Sequence, residues 1–357
     1  MTRLLRLLAV VAAVCASLIG AASAQARLPR DFVGITSEDV FARGSSYREA
    51  NLSAQHALKI GLIRQTFDWA QIETSPGVYR LGRYDSFVLA AARHGITVLP
   101  ILFNGPRFHS LPHFERGASR PDKAAFGQFA ATIARRYGRN GSLWAAHPEV
   151  PARPIRSYQI WNEPNLRIYW LPRPSARQYV GLLKAARRAI KGVDRRAEIV
   201  TAGIPPSKLS MAVRIMRYLK SMYKVRGAKK AFDTLAINSY AKNLGELKKL
   251  LKSVRKLMRR RHDRAKIWIT EMGWATGGPP SRFNVGVAQQ ARLIKSSIRF
   301  IRRSRGKLRL RGFVYFSWRD SSPYPPLLQD LWGLHTGLLT QAGAPKRGYA
   351  AFRSAVR

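Results

Sequence analysis

Residues 157–164 read SYQIWNEP, a short apolar run that ends in a polar turn. The run predicts a buried β-strand over residues 157–161, because branched and aromatic side chains in a run of this length suit a strand covered on both faces. A helical pattern follows over residues 175–191. A strand followed by a helix is the unit from which parallel sheets are built.

The same strand-then-helix unit recurs eight times along the chain. We predict strands over residues 32–35, 62–67, 97–102, 157–161, 198–202, 234–238, 266–270 and 312–316, and helices over residues 47–59, 83–94, 123–137, 175–191, 208–224, 244–261, 285–303 and 349–356. This alternation predicts an α/β fold, a single (β/α)₈ TIM barrel. A doubly wound open sheet is the alternative, but it would usually have fewer strands and often a glycine-rich phosphate loop after the first strand.

The connections between these elements are unequal in length. The longer ones follow strands, at residues 103–122, 162–174, 271–284 and 317–348, whereas the helix-to-strand joints are mostly brief. TIM barrels build their active sites from strand-to-helix loops. We therefore expect the functional site at the carboxyl ends of the strands.

The N-terminus has the pattern of a secretory signal. Two arginines precede an apolar run at residues 7–19, and Ala22-Ser23-Ala24 supplies a small-x-small cleavage pattern. We expect a signal peptide over residues 1–24, a barrel domain over residues 25–357, and a secreted or cell-wall-associated protein. An uncleaved membrane anchor is the alternative. The single cysteine, Cys15, lies in this segment, so disulfides and cysteine chemistry are excluded from the mature chain.

The chain is strongly basic, with 63 Lys and Arg against 19 Asp and Glu and a formal net charge of +44. Such a charge attracts polyanions, and we expect electrostatic contact with anionic polysaccharide or cell wall. The alternative is a solvated basic surface without a partner, because the basic residues are spread along the whole chain. We expect no specific nucleic-acid partner, no membrane contact after signal cleavage, and a monomer.

Two glutamates stand where chemistry is expected. Glu163 follows the fourth predicted strand and Glu271 the seventh, so both would lie on the same rim of the barrel. A surface salt bridge is the ordinary role of a rim glutamate in so basic a chain. Acidic residues are scarce here, however, and both glutamates lie in tryptophan-containing runs. Cleavage of a glycosidic bond needs two carboxyl groups that flank the bond.

These runs, WNEPN at residues 161–165 and WITEMGW at residues 268–274, resemble clan A glycoside hydrolases. The chain is most similar to family 39 and its bacterial exopolysaccharide-processing relatives, and next to family 5. The resemblance implies a retaining glycosidase that hydrolyses O-glycosidic bonds of a poly- or oligosaccharide. It implies that Glu163 is the general acid/base and Glu271 the nucleophile. No cofactor is implied.

The resemblance also implies roles for substrate-binding residues. Asn162 would contact the sugar 2-hydroxyl, Arg64 would lie beside the nucleophile, Tyr240 would hydrogen-bond it, and Trp318 would form the floor of the sugar subsite. An ordinary ion pair or a packing role is the alternative for each of the last three. Family 39 members often have a histidine where this chain has Asn238, which is a departure from the pattern.

Two loops supply further candidates. Asn104, His109 and His113, after the third strand, could contact sugar, and Trp170, after the fourth, could be a stacking platform. The predicted strand ends contain no cluster of Asp and His residues that would indicate a metal site. A nuclease or another enzyme of phosphate chemistry therefore has no support from the sequence. The alternative function is a non-catalytic secreted barrel that binds anionic polymer.

Overall fold

A computed structural model describes residues 28–110, 118–207, 211–323 and 329–357. The predicted signal peptide and His113 therefore lie outside the described residues. The chain divides into two units, Met1–Arg30 and Asp31–Arg357. The second unit contains the barrel.

Eight parallel strands close into a barrel in which each strand pairs with its neighbours in the sequence and the last pairs with the first. The strands are Val33–Thr36 (β1), Leu62–Asp68 (β2), Thr97–Phe103 (β3), Ser157–Ile160 (β4), Glu198–Val200 (β5), Thr234–Asn238 (β6), Lys266–Met272 (β7) and Leu310–Tyr315 (β8). The predicted (β/α)₈ barrel is confirmed, because closure leaves no sheet edge of the kind an open doubly wound sheet would have.

Helices surround the barrel. They are Glu38–Ala42 (α1), Ser45–Ala57 (α2), Trp69–Ile72 (α3), Gly82–Arg93 (α4), Lys123–Tyr137 (α5), Ser142–Ala146 (α6), Ala176–Val193 (α7), Ile215–Lys224 (α8), Leu244–Arg260 (α9), Gly286–Arg303 (α10), Arg305–Leu308 (α11) and Arg347–Val356 (α12). Short 3₁₀ turns occur at Arg30–Phe32, Arg107–His109, Arg167–Tyr169, Ala228–Lys230 and Trp332–His335, and an antiparallel hairpin pairs Glu73–Ser75 with Val78–Tyr79.

One predicted helix, over residues 208–224, begins later than the sequence pattern indicates. It starts at Ile215, and residues 211–214 are not helical. The backbone there bonds to the loop after β4 instead, since Val213 N donates to Asn165 O at 2.8 Å. A tertiary pairing therefore replaces the first turns of the helix.

The inside of the barrel is layered. An apolar layer contains one residue from each of six strands: Leu62, Leu99, Val200, Ala236, Trp268 and Val314. Successive inward side chains on a strand are two residues apart, so the next layer toward the carboxyl ends includes Arg64 on β2 and Thr270 on β7. Both of these are buried. The apolar layer thus forms the floor beneath a polar mouth.

Two further properties concern the described residues alone. None of their helices is long and apolar enough to cross a membrane. They also contain no group of three or more His, Cys, Asp or Glu side chains that could hold a metal ion.

Candidate active site

A β-bulge in β7 turns Glu271 into the barrel. Trp268 and Thr270 already point inward, so strict alternation would direct Glu271 outward, toward the helices. The pairing of β7 with β6 and with β8 contains one extra residue after Ile269. A bulge of this kind re-aims the side chain that follows it. Glu271 consequently lies in the mouth, 6% exposed.

The chain makes a tight turn directly after β4. Trp161 and Glu163 adopt left-handed φ angles of 70° and 43°, a region that residues with a Cβ rarely occupy. Backbone bonds on both sides hold the turn: Trp161 N donates to Leu102 O at 2.9 Å, and Glu163 N donates to Gly203 O at 3.3 Å. Such strain is found most often at functional sites. Here it directs Asn162 and Glu163 toward the mouth.

Arg64 joins the two sides of the mouth. Its guanidinium, on a residue only 2% exposed, donates to three acceptors. Nη1 donates to Glu271 Oε1 at 2.8 Å, Nη2 to Asn162 Oδ1 at 3.0 Å, and Nε to Gln159 Oε1 at 2.8 Å. The buried cation is thereby paired with a carboxylate and satisfied on each nitrogen, which offsets much of the cost of burying it.

Tyr240 holds the other oxygen of Glu271. Its hydroxyl donates to Glu271 Oε2 at 2.5 Å. Burial, and then the charge of Glu271, raise the pKa of Tyr240 well above its ordinary value, so the phenol remains a donor. With Arg64 on Oε1 and Tyr240 on Oε2, the carboxylate has a fixed orientation.

Glu163 has a different set of partners. Asn238 Nδ2 donates to Glu163 Oε1 at 2.6 Å, and Thr270 Oγ1 donates to Asn238 Oδ1 at 2.9 Å. The hydroxyl of Thr270 therefore fixes which end of the Asn238 amide faces Glu163. The departure seen in the sequence, asparagine where family 39 often has histidine, thus places an amide donor beside Glu163.

The two carboxyl groups differ in their electrostatic surroundings. Burial is the largest cause that raises the pKa of Glu163, to about 8, and the negative charge of Glu271 raises it further. The hydrogen bond from Asn238 and the charge of Arg64 act in the opposite direction. Glu271, by contrast, lies in direct contact with the guanidinium of Arg64, 2.8 Å from Nη1. At neutral pH, Glu163 is therefore protonated, and it faces the same mouth as the cation-paired Glu271.

The close packing of Asn238 and Thr270 beside Glu163 depends on a glycine. A Cβ at Gly203 would lie 1.9 Å from Asn238 Oδ1 and 2.7 Å from Thr270 Oγ1. Real side chains do not approach this closely, so any other residue would displace the Asn238 amide. No pattern in the sequence indicated that Gly203 belongs to the site.

An aromatic cluster lines the mouth beside Glu271. Tyr240 packs edge-on against Trp332 at 4.9 Å between ring centroids and against Phe316 at 6.2 Å. Phe283 packs against Trp332 at 4.6 Å. All four rings are partly exposed. Sequence reasoning missed Phe283, Phe316 and Trp332, although Phe316 directly follows β8 and could have been found by that position.

Trp318 does not join this cluster, and its predicted role as a subsite floor is not supported. It is 1% exposed, so neither face of its ring is open to a ligand. Its Nε1 donates to Asn51 Oδ1 on α2 at 2.7 Å, and its ring packs near Tyr349 at 6.1 Å. Trp318 belongs to the packing between the barrel and its helices. Phe316, two residues earlier, is the partly exposed aromatic at the end of β8.

Trp170 is likewise a core residue rather than a stacking platform. It is 1% exposed and packs edge-on against Trp161 at 5.6 Å and Tyr179 at 5.8 Å. Its Nε1 donates to Gln178 Oε1 at 3.3 Å. A buried tryptophan whose polar atom is satisfied stabilises the loop after β4 and has no face for a sugar.

Asn104 and His109 lie in the mouth region of β2 and β3, without a described contact to either glutamate. Asn104 Nδ2 donates to both carboxylate oxygens of Asp68 at 3.1 Å. His109 stacks on Trp69 at 5.2 Å, and its Nε2 lies 3.2 Å from Glu73 Oε1. Both side chains thus have structural partners at the end of β2 and in the segment that follows it.

Comparison with known proteins bears on the fold. No protein-family model and no curated protein sequence matches this chain. Solved structures do match. A family 39 glycoside hydrolase from Bacteroides cellulosilyticus WH2 shares 16% identity over 92% of this chain and 65% of its own, with a TM-score of 0.64. A GH39 β-xylosidase from Caulobacter crescentus shares 17% over 90% and 70%, with a TM-score of 0.65.

A xylanase 10B from Thermotoga petrophila RKU-1, solved in complex with xylobiose, shares 12% identity over 92% of this chain and 94% of its own, with a TM-score of 0.61. Identities this low report on the fold alone. The chain spans about two thirds of the length of the family 39 structures. Within that span, its barrel is similar to the barrels of family 39 glycoside hydrolases.

Proposed function

We propose that this chain is a secreted retaining glycoside hydrolase that cleaves O-glycosidic bonds of a poly- or oligosaccharide. One observation carries the proposal: a raised-pKa glutamate and a cation-paired glutamate lie in one barrel mouth. Retaining glycosidases need such a pair, one carboxyl group to protonate the leaving oxygen and one carboxylate to attack the sugar. The similarity of the fold to family 39 barrels supports the same conclusion.

In the first step, Glu271 attacks the anomeric carbon and forms a glycosyl–enzyme ester, while the bond to the leaving oxygen breaks. Protonated Glu163 gives its proton to that oxygen, so the product leaves as a neutral alcohol. Arg64 and Tyr240 each donate to one oxygen of Glu271 and so hold its carboxyl group in a fixed orientation before the attack.

In the second step, Glu163, now ionised, takes a proton from water, and the water oxygen attacks the same carbon. The ester bond to Glu271 breaks, and the carboxylate is regenerated. Two inversions give net retention of the anomeric configuration. The loss of the Glu271 charge in the ester removes a repulsion from Glu163, which lowers the pKa of Glu163 when it must act as a base.

Asn162 is placed to bind the sugar. Its Oδ1 is occupied by Arg64, so the amide orientation is fixed, and its Nδ2 donates to no described residue. A free, oriented donor next to the acid/base can bond the sugar 2-hydroxyl, a contact that strengthens in the oxocarbenium-like transition state. The aromatic cluster around Tyr240 offers apolar faces for the C–H surface of a sugar ring.

The proposal is tested by the anomer that is released first. Wild-type enzyme is incubated with a panel of glycans, and nuclear magnetic resonance follows the new reducing end. We expect retained configuration from the wild type, no product from Glu271→Ala, and unchanged activity from Glu149→Ala, a matched change at an exposed glutamate.

Three results would contradict the proposal: inverted product, activity that survives in Glu271→Ala, or a wild type that cleaves no glycan of the panel. The last result together with tight glycan binding would favour the non-catalytic barrel that the high charge of the chain suggests as the second candidate. Secretion is tested separately, by detecting mature protein that begins near Gln25 in culture medium.

A further inference from the structure

All charged residues of α7 are basic. The helix contains no Asp or Glu, and its Lys and Arg residues are Arg177, Lys184, Arg187, Arg188 and Lys191. Its other face, which includes Leu183 and Ile190, is buried. The rise of 1.5 Å per residue places Lys184 and Lys191 about 10 Å apart along the axis. The exposed face is therefore a strip of positive charge.

A groove of about 540 Å³ runs between this strip and the turn before β6. The charged residues that line it are Lys184, Arg187, Arg188, Lys191, Arg195 and Lys230, with no acidic residue among the lining. Gly227 forms part of the wall in a left-handed conformation, with φ of 76°. A Cβ there would lie at an ordinary contact distance, 3.5 Å, from Lys184 Nζ, so the left-handed backbone and not the space is what favours glycine.

Several of these cations are held in place. Asp233 accepts from Arg187 Nη1 at 2.8 Å and lies 3.3 Å from Lys191 Nζ. Lys184 Nζ donates to Arg226 O at 2.7 Å. The cations of the wall thus have positions fixed before any ligand arrives, which reduces the entropy lost on binding.

Other cations in the groove have no such partner. Within the part of the chain that the structure describes, Arg188, Arg195 and Lys230 form no ion pair, and all three are exposed. Like charges gathered at one groove repel each other, and an anionic ligand would relieve that repulsion. These three residues are therefore available to a ligand.

A second groove extends the basic surface across α7. It has a volume of about 300 Å³ and lies between α5 and α7. Lys123, Arg135 and Arg188 line it, and Arg188 lines the first groove as well. The floor between the helices is made of small residues such as Gly127 and Ala189. The two grooves together, here called the basic track, suit a chain-like ligand better than a single small anion.

The first groove of the basic track is remote from the proposed catalytic mouth. It is lined by the second half of α7 and by residues just before β6, which begins at Thr234. In a TIM barrel these segments lie at the amino ends of the strands, whereas Glu163 and Glu271 lie at the carboxyl ends. The part of a ligand that lies in the first groove is therefore not the sugar attacked by Glu271.

We propose that the basic track binds a carboxylated polysaccharide, an extended polyanion held at a non-catalytic site. Guanidinium groups match carboxylates in a bidentate geometry. None of the lining residues of either groove is aromatic, and stacking on aromatic rings is how proteins commonly hold single-stranded nucleic acids and neutral sugars. The track therefore recognises charge spaced along a chain. This inference does not depend on the hydrolase activity.

The test measures binding of full-length protein to polygalacturonate by calorimetry at several salt concentrations, with dextran as the neutral polymer. The triple variant Arg188→Ala, Arg195→Ala, Lys230→Ala removes three charges from the track. Lys249→Ala, Lys252→Ala, Lys256→Ala removes three exposed charges from α9. We expect polygalacturonate and not dextran to bind the wild type. The track variant should bind about tenfold or more weakly with a smaller salt dependence, and the α9 variant should change less than about twofold.

Three results would overturn the proposal. Equal losses in the two triple variants would mean that polyanions bind the general surface charge. No binding of polygalacturonate by the wild type at low salt would exclude the ligand class. Tighter binding of duplex DNA, lost in the track variant, would assign the track to nucleic acid. Melting temperatures of both variants near the wild-type value establish that folding is intact.

Discussion

Asn238 donates a hydrogen bond from its Nδ2 to Oε1 of Glu163 at 2.6 Å, and this bond opposes the burial that raises the pKa of Glu163. Burial therefore raises the pKa of Glu163, and the hydrogen bond from Asn238 lowers it. The balance between them sets the pH at which Glu163 changes from acid to base.

The first prediction concerns pH dependence. Glu163 must be protonated for the first step, so kcat/KM should fall as the pH rises through about 8. Asn238→Ala removes a donor that favours the charged form, so the pKa of Glu163 rises and the alkaline limb should move up by about one pH unit. The measurement is kcat/KM from pH 5 to 10. Asn104→Ala, which removes an amide bonded to Asp68, should leave the limb in place. A limb that stays unmoved in Asn238→Ala would refute the assignment of this pKa to Glu163.

The second prediction follows from the same shift and concerns stability. The pKa of Glu163 is raised in the folded state above its ordinary value of 4.5, so the folded state binds this proton more tightly than the unfolded state. This contribution to stability is fully present below the unfolded pKa and is lost as the pH rises through about 8. Glu163→Gln, which cannot ionise, should therefore melt at a higher temperature than the wild type at pH 9, and the difference should vanish near pH 4. The same difference in melting temperature at pH 4 and pH 9 would contradict a raised pKa of Glu163.

The third prediction separates the two catalytic roles. Glu163→Ala should lower kcat/KM on natural glycans by about 10²–10⁴-fold, because the leaving oxygen loses its proton donor. Aryl glycosides with good leaving groups should retain the first step and accumulate a glycosyl–enzyme, seen by intact-protein mass. Azide should then accept the sugar and give a glycosyl azide of retained configuration. Glu271→Ala should form no glycosyl–enzyme, and an adduct in that variant would reassign the nucleophile.

The fourth prediction concerns Gly203. A Cβ at this position would overlap the amide of Asn238, so Gly203→Ala should displace the donor from Glu163. We expect a loss of activity together with an alkaline limb shifted in the same direction as in Asn238→Ala. Gly44→Ala is the matched control, because a Cβ there meets nothing within 4 Å. A Gly203→Ala enzyme with wild-type activity and pH profile would contradict this prediction, because it would show that the neighbours of Asn238 can move without displacing its amide from Glu163.

The sequence predicted the barrel because its signal is repeated. Eight alternations of an apolar run with a helical pattern leave few other folds, and an error in one element, such as the late start of α8, does not alter the topology. The two glutamates were found for a related reason. A strand end is visible in the sequence, and in a barrel every strand end reaches the same rim.

The remaining parts of the site depend on geometry that has no local signal. The bulge that turns Glu271 inward arises from pairing with β6 and β8, which no single segment encodes. Trp318 was assigned to sugar binding from the family resemblance and Trp170 from its position in a loop, but both are 1% exposed. Burial depends on the neighbours that the fold supplies, and these were unknown from the sequence.

The fifth prediction tests which aromatic residue at the end of β8 contacts the sugar. Phe316 is partly exposed and packs against Tyr240, whereas Trp318 is buried and bonds Asn51. Phe316→Ala should raise KM and lower kcat/KM by about tenfold with little change in melting temperature, since it removes a ring whose burial against the sugar is worth about 1.5–3 kcal/mol. Trp318→Phe should leave KM unchanged and destabilise the fold by about 1–3 kcal/mol, because it leaves the buried Asn51 Oδ1 without its donor. Steady-state kinetics and denaturant unfolding of both variants distinguish the two positions. The opposite pattern, with KM raised only in Trp318→Phe, would return the subsite floor to Trp318.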